Sequence, residues 1–177
     1  ALTGCYMEMA SDDAYGKRMT LTNVENLANL WVIHSRTTNE DDYELYTHDY
    51  DGDNAKKAVK ALYTSLFKTI TQANLIIKNA GLHSDALKTK GMREIITGEA
   101  HAIRGYCQLD ILRLFGQMPQ GGGKEVRLPY SEATTIDEIP PYYSFAEYTE
   151  KLKQDIETAE KLLKDNDPAT QFPFSEM

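Results

Sequence analysis

The chain has 177 residues, of which 41% are hydrophobic, a length and composition that suit one packed domain and exclude a chain disordered throughout. Its 27 acidic residues outnumber its 19 basic ones, for a formal net charge of -8, and no basic cluster stands out, so nucleic acid is not expected as a partner. The two distant cysteines, Cys5 and Cys107, indicate neither a disulfide framework nor a metal site.

The N-terminal third predicts one short helix followed by a long loop. Thr22 and Glu25 have the spacing of a capping box, and the apolar pattern after them predicts a helix that ends near Ile33. Residues 34–54 lose that pattern and fill with Asp, Asn, Thr and Tyr, so we expect a long loop there.

The end of this loop resembles a calcium-binding loop only in part. Asp49, Asp51 and Asp53 alternate, but Gly52 comes one position early, and a lysine stands where the closing glutamate is needed. Turn and helix-capping chemistry accounts for the pattern better than a metal site does. We therefore expect no metal ion and no other cofactor.

Two long helices are predicted in the centre of the chain. Residues 55–80 have apolar side chains at spacings of three and four, and Gly81 ends the run. The next helix is predicted to begin near Ser84 and to end at Gly116 and Pro119. Because the connection between these two helices is short, it favours an antiparallel helical hairpin.

A last helix is predicted after an irregular stretch at 117–143 that is rich in Gly and Pro. Ser144 and Glu147 form a second capping box at its start. Its buried side is predicted to carry Phe145, Tyr148, Leu152, Ile156, Ala159 and Leu163. Together these patterns predict an all-α fold of tetratricopeptide-like helical hairpins with long irregular loops, without a strict repeat of about 34 residues.

No catalytic site is apparent from the sequence. The four histidines lie outside catalytic or metal-binding patterns, and the glycine run 121–123 lacks the preceding strand and the following Ser or Thr of a phosphate loop. Glu99 is a competing candidate for a catalytic acid, as in a glycosidase, but no second acid or base is placed beside it. We therefore expect a protein that is not an enzyme.

Polar residues on apolar helix faces predict a buried network. Asn74 and Glu99 fall on the inward faces of their predicted helices. A buried polar group without a partner costs about 1 to 3 kcal/mol, so both side chains need partners. We expect Asn74, Glu99 and Arg104 to bind the backbone or one another between helices.

Aromatic residues form a candidate ligand-binding surface. Trp31, Tyr43, Tyr46 and Tyr50 lie in or beside the acidic loop. Sugar rings stack on flat aromatic faces while their hydroxyls pair with carboxylates and amides, so these four residues are candidates for binding a carbohydrate. The alternative is that each tyrosine anchors its loop to the helices.

Three segments, in this order, resemble signatures of the SusD-like (RagB/SusD) nutrient-binding lipoproteins. The segment with Ile70, Ala73 and Asn74 is similar to the family pattern Tyr-x-x-Ile-x-x-Ala-Asn. Residues 98–119 resemble the signature that begins Gly-Glu-Ala-x-x-x-Arg and ends in Phe-Gly-x-x-Pro. The helix at 148–163 resembles a third signature, and the opening of the chain resembles the first helix of the family.

This resemblance implies a tetratricopeptide-like scaffold in which residues 1–177 form the N-terminal part of a longer protein. It also implies a lipid-anchored protein on the outer face of the bacterial outer membrane, which captures glycans or peptides and delivers them to a SusC-like, TonB-dependent transporter. The lipid-bearing cysteine would precede this region, so Cys5 is not expected to be the anchor. Gly105 departs from the pattern, since alanine usually follows the arginine. The motif positions are then packing determinants: Asn74, Glu99, Arg104 and Gly116.

An intracellular tetratricopeptide-type module, which binds a partner protein through a peptide in its helical groove, is the alternative function. Such a module has no transport role, and it needs neither export nor a lipid anchor.

Overall fold

The computed structural model describes residues 1–33, 40–82, 90–116, 127–135 and 137–166, and the predicted all-α class is confirmed. Its helices are α1 (Leu2–Met9), α2 (Asn23–Leu27), α3 (Glu40–Tyr46), α4 (Asp53–Leu82), α5 (Met92–Phe115) and α6 (Phe145–Lys164). Two short strands, β1 (Leu128–Pro129) and β2 (Tyr142–Tyr143), pair antiparallel. Over these residues, no helix combines the length and the apolar character needed to cross a bilayer.

The chain forms two compact units. One consists of Tyr6–Lys68, and the other of Ala1–Cys5 together with the described residues from Thr69 onward. The second unit contains α5, α6 and the strand pair, and the first contains α2 and α3.

Helices α5 and α6 pack against each other in antiparallel orientation. Gly98, near the start of α5, lies beside Leu163 at the end of α6, whereas Gly105 lies beside Leu152. A Cβ atom on Gly98 would stand 2.9 Å from Cγ of Leu163, so the missing side chain allows close approach of the two helices. At Gly105 the nearest atom to such a Cβ would be 3.6 Å away, and an alanine would fit.

Helix α6 begins with the predicted capping box, which the structure confirms. Oγ of Ser144 accepts a hydrogen bond from the N–H of Glu147 at 3.3 Å, and the Glu147 carboxylate accepts one from the N–H of Ser144 at 2.8 Å. Ile156, predicted on the buried side, is 51% exposed. That prediction was wrong because Asp155 occupies the stripe facing α5, and adjacent helical residues lie about 100° apart.

The first predicted helix is shorter than expected. Helix α2 ends at Leu27, and the Thr22 side chain makes no capping hydrogen bond, so the predicted capping box is wrong. Asn29 has a φ of 53°, a left-handed conformation that cannot continue an α-helix. The predicted end near Ile33 is therefore wrong as well.

The predicted loop at 34–54 contains a helix, α3. Leu45 of this helix is fully buried and packs with Ala55 and Ala58 in a small apolar cluster. Leu45 is the only aliphatic residue in a short polar and aromatic segment, which is why the sequence showed no apolar period there. Residues 34–39 lie outside the described part of the chain.

Glu44 of α3 caps the start of α4. Its Oε2 accepts a hydrogen bond from the N–H of Ala55 at 2.8 Å, and its Oε1 accepts one from Nδ2 of Asn54 at 3.1 Å. A Cβ atom on Gly52 would lie 2.2 Å from Oε2 of Glu44, so the glycine makes room for the carboxylate. The aspartate-rich segment is thus part of a turn closed by a capping glutamate from another helix.

The ends of α4 and α5 differ in part from the predictions. Gly81 lies in the last turn of α4 and not after it, and α5 begins at Met92 and not near Ser84. Gly91, with a φ of 78°, occupies the position before α5, and its left-handed backbone sets where that helix begins. The predicted end of α5 at Gly116 is confirmed. Pro119, like Ser84, lies outside the described residues.

Candidate functional site

The best-connected group of polar side chains centres on Asp155 of α6, which is only 4% exposed. Arg104 of α5 donates two hydrogen bonds to this carboxylate, from Nε to Oδ2 at 2.7 Å and from Nη2 to Oδ1 at 2.5 Å. Two parallel bonds of this kind set both the position and the plane of the carboxylate. The pair therefore holds α5 and α6 in one register.

Two further side chains bind the same carboxylate. Nδ1 of His101, one turn before Arg104 on α5, lies 2.8 Å from Oδ1 of Asp155. The hydroxyl of Tyr130, which follows β1 directly and is almost completely buried, donates to Oδ2. With the two bonds from Arg104, Asp155 uses about all the acceptor sites that a carboxylate has.

Asn74 joins helix α4 to the same group. Its Oδ1 accepts a hydrogen bond from Nη1 of Arg104 at 2.9 Å. Its Nδ2 donates to the main-chain oxygens of Ser131 at 3.1 Å and Ala133 at 2.9 Å. One amide thus satisfies an arginine and holds the irregular segment that follows β1, where the backbone has no regular partner.

A second cluster lies one turn further along α5. The Tyr148 hydroxyl lies 2.8 Å from the main-chain oxygen of Gln108 and 2.6 Å from its Oε1. Nε2 of Gln108 donates to the main-chain oxygen of Ser131 at 3.4 Å, the same oxygen that Asn74 binds. The rings of Tyr130 and Tyr148 meet edge to face with centroids 5.1 Å apart, so the two clusters form one structure, here called the motif network.

Burial and pairing set the protonation states in the motif network. Burial alone would raise the pKa of Asp155, but the hydrogen bonds from His101, Arg104 and Tyr130 and the charge of Arg104 outweigh it and lower the pKa to about 2. Burial, followed by the charge of Asp155, raises the pKa of Tyr130 far above its usual value. Near neutral pH the carboxylate stays ionised and the phenol stays protonated, so neither is suited to proton transfer.

At its outer edge the motif network continues into exposed ion pairs. Nη2 of Arg104 lies 3.6 Å from Oε1 of Glu132, and Nζ of Lys151 lies 2.7 Å from Oε2 of the same residue. Lys151 also stands 5.6 Å from the ring centroid of Tyr143 in β2. Exposed pairs of this kind contribute up to about 1 kcal/mol each, so most of the stabilisation comes from the buried part.

Two of the four predicted motif residues, Asn74 and Arg104, come together in the motif network. Glu99 is half-buried on α5, and the carboxylate that binds Arg104 is Asp155 of α6. Gly116 ends α5, where a Cβ atom would lie 2.4 Å from the main-chain oxygen of Leu112. These positions act on packing and helix ends.

Sequence reasoning missed Asp155 and Tyr130 as members of the motif network. A signal for Asp155 existed, because it stands between Leu152 and Ala159 on the buried face of α6, where a carboxylate needs partners. No such signal existed for Tyr130, which lies outside any periodic segment and meets its partner 25 residues along the chain.

The four aromatic candidates lie in the unit Tyr6–Lys68, and none of them is fully buried. Trp31 is 55% exposed, and its Nε1 donates to the carboxylate of Glu25. Tyr43 and Tyr46 are half-buried on α3 and not in a loop. Tyr50 is 58% exposed, with its ring 6.0 Å from that of His48.

Metal-ion binding finds no support in the parts of the chain that the structure describes. Within them, no three His, Cys, Asp or Glu side chains are grouped so that they could hold a metal ion. Both cysteines are free and buried, and burial raises the pKa of Cys5, which favours an unreactive thiol.

Comparison with known proteins adds one relationship to this geometry. No family model matches the chain. SusD-like protein P2 of Formosa agariphila is 27% identical to it over 172 residues, which make up 97% of this chain and 31% of that protein. The chain is similar to a SusD-like protein. It spans about a third of the length of this SusD-like relative.

Proposed function

We propose that this chain is part of a cell-surface nutrient receptor that binds a glycan or a peptide without converting it chemically. In this proposal the receptor is a lipoprotein of the bacterial outer membrane, anchored through a cysteine that precedes Ala1. It passes its ligand to a SusC-like, TonB-dependent transporter.

The observation that carries the proposal is the similarity to a SusD-like protein, because it runs over 97% of this chain and not over one short motif. The motif network adds support, since Asn74 and Arg104, on which the resemblance rests, contact each other through a 2.9 Å hydrogen bond. Both side chains are buried, and both form hydrogen bonds within the protein. Ligand binding therefore belongs to other, exposed residues.

Among the aromatic candidates, Trp31 and Tyr50 present the most exposed surface, at 55% and 58%. Exposed rings with nearby carboxylates suit a sugar, which stacks its C–H face on a ring and pairs its hydroxyls with acids. Tyr43 and Tyr46 are half-buried on α3, so they would supply less of such a surface.

The first experiment is a screen of the intact protein against a glycan array and a peptide library, combined with affinity purification from its native membrane. We expect binding to one ligand class and co-purification of a TonB-dependent transporter. Failure of both would contradict the receptor proposal. Peptide binding by a protein that stays in the cytoplasm would favour the tetratricopeptide-type interaction module.

A second experiment tests the aromatic surface. The double variant Trp31→Ala and Tyr50→Ala should weaken binding of a ligand from the screen about tenfold, because two apolar ring faces would no longer be buried against the ligand. Tyr106→Ala is the matched control, since Tyr106 is a 51% exposed tyrosine on α5. Equal affinities for the double variant and the control would remove Trp31 and Tyr50 from the ligand site and leave the receptor proposal standing.

A further inference from the structure

A groove lined by charged and hydroxyl-bearing residues lies along the first half of α4, within the unit Tyr6–Lys68. Its volume is about 350 Å³. One wall is a stripe of α4 residues, Lys57, Lys60, Thr64 and Lys68, and the other is formed by Glu8 of α1 and Asp13. We call this feature the lysine groove.

The lysines of the groove lie on one face of α4. Lys60 and Lys68 lie three and eleven residues after Lys57, which places all three within one helical stripe. All three are exposed. Lys57 and Lys60 are neighbours on the helix surface, at a spacing where like charges repel each other. The chain has a formal net charge of -8, so this stripe is a positively charged patch on a negatively charged protein.

The two carboxylates of the groove already have cationic partners. Oε2 of Glu8 lies 2.8 Å from Nζ of Lys68, and Oδ1 of Asp13 lies 2.8 Å from Nε of Arg18. Over the described residues, Lys57 and Lys60 have no ion pair. The groove therefore keeps two positive charges that no carboxylate in the described part of the chain neutralises.

Two hydroxyl side chains, Thr64 and Ser65, also line the groove. Ser65 is buried, its hydroxyl donates to Oε1 of Glu8 at 3.2 Å, and Thr64 is exposed beside it. A carboxylate has about four acceptor sites, so Glu8 can accept further hydrogen bonds besides those from Ser65 and Lys68. Such a surface suits a ligand that carries hydroxyl groups as well as a negative charge.

We infer that the lysine groove binds the anionic group of an acidic sugar, such as the carboxylate of a uronate. Lys57 and Lys60 pair with that group, and the sugar hydroxyls bond to Glu8 and Thr64. An acidic peptide satisfies the lysines equally well, but its backbone and apolar side chains match the hydroxyl and carboxylate lining less well than a sugar does. The inference deepens the proposed function and rests on it for the choice of a glycan.

Calorimetric titration of the intact protein tests the groove with two probes, trigalacturonate and the neutral galactotriose. We expect trigalacturonate to bind at least tenfold more tightly, since hydrogen bonds between two charged groups are stronger than those between neutral groups. Its affinity should also fall as salt is raised from 20 to 300 mM, on the order of a threefold to tenfold change, because the lysines are exposed and screened. Equal affinities for the two probes, or no binding of trigalacturonate, would overturn the inference.

Two double variants assign the effect to the groove. Lys57→Gln with Lys60→Gln should weaken trigalacturonate binding about tenfold and leave galactotriose unaffected. Lys161→Gln with Lys164→Gln, at the exposed end of α6, removes the same net charge and should bind trigalacturonate like wild type. Equal losses in both double variants would reduce the effect to overall charge and contradict the groove.

A third probe, a tetraglutamate peptide, tests the choice of a sugar. Binding of this peptide as tight as that of trigalacturonate, lost in the Lys57 and Lys60 variant, would overturn the assignment to a glycan. The receptor proposal and the groove proposal fail separately. Array binding of an acidic glycan that survives the groove variant contradicts the groove alone, whereas groove binding without an associated transporter contradicts the receptor alone.

Discussion

In the motif network, tyrosines and charged side chains are buried and bond to residues far along the chain. The four aromatic candidates, Trp31, Tyr43, Tyr46 and Tyr50, are instead exposed or half-buried, and Trp31 bonds to Glu25, only six residues before it. By contrast, Arg104 and Asp155 are 51 residues apart. The difference separates buried side chains that hold helices together from side chains that stay exposed or half-buried.

This contrast changes the meaning of the motif residues. A polar side chain in a signature invites a catalytic or binding interpretation. Arg104, however, bonds to α6 and to Asn74, and Asn74 also bonds to the segment after β1. A buried ion pair is costly to break even where it adds little net stability, because removal of one partner leaves a charge without compensation. The following substitutions test how far the two regions differ.

The largest effect is expected at Arg104. The change Arg104→Met leaves Asp155 buried without its main partner and should lower the free energy of unfolding by about 3 to 5 kcal/mol. Urea unfolding followed by circular dichroism measures this loss. Arg93→Met, at an exposed position of the same helix, should stay within about 0.5 kcal/mol of wild type. Similar losses at both positions would contradict a buried network.

The second test is the pH dependence of stability. Asp155 has a pKa of about 2 in the folded protein against an ordinary value of 3.8, so the folded state holds the proton less tightly than the unfolded state. Its contribution is therefore present above about pH 4 and disappears as the pH falls to about 2, a change of about 2 kcal/mol.

The variant Asp155→Asn lacks this titration, so its stability deficit relative to wild type should shrink between pH 5 and pH 2. Glu150→Gln, which changes an exposed carboxylate of the same helix, is the control and should follow the wild-type curve. Urea midpoints at several pH values measure both. A constant deficit for Asp155→Asn over this range would argue against an ionised, paired carboxylate.

A smaller effect comes from the two glycines of α5 that face α6. Gly98→Ala should destabilise the protein by about 1 to 3 kcal/mol, because the new methyl group would overlap Leu163. Gly105→Ala has room for its methyl group and should stabilise by about 0.5 to 1 kcal/mol, since glycine is a poor helix former. Thermal unfolding of the pair checks the sign, and destabilisation by Gly105→Ala would mean a tighter helix contact than described.

The smallest effects compare the two predicted capping boxes. Ser144→Ala should cost about 1 kcal/mol, because the Ser144 hydroxyl accepts the hydrogen bond from Glu147. Thr22→Ala should change stability by less than about 0.5 kcal/mol, because that side chain makes no capping hydrogen bond. A loss for Thr22→Ala as large as that for Ser144→Ala would restore the first capping box.

Much of the fold was accessible from local patterns, but α3 and the start of α5 were not. The long helices follow from apolar spacings, and the α6 start follows from Ser144 and Glu147, which lie within one turn. Helix α3 was not predicted within the loop at 34–54, because burial of Leu45 depends on Ala55 and Ala58 of another helix. The start of α5 lies later than predicted because Gly91 has a left-handed backbone angle that the sequence did not indicate.

The candidate site divides in the same way. Burial of Asn74 could be predicted because it falls within an apolar stripe, but the identity of Asp155 as the partner of Arg104 could not. The local sequence around a helical carboxylate near an apolar face does not indicate which residue it binds. Only the register of α5 against α6 decides which one meets the arginine.

By itself, the sequence determined the helical class, the existence of the long helices and the resemblance to SusD-like proteins, because each depends on residues within a few turns of one another. The tertiary structure alone decided that Asp155 binds Arg104, His101 and Tyr130, and that Glu44 caps α4. Those contacts depend on how separate helices pack, and hydrogen-bond geometry tolerates errors of only about half an ångström.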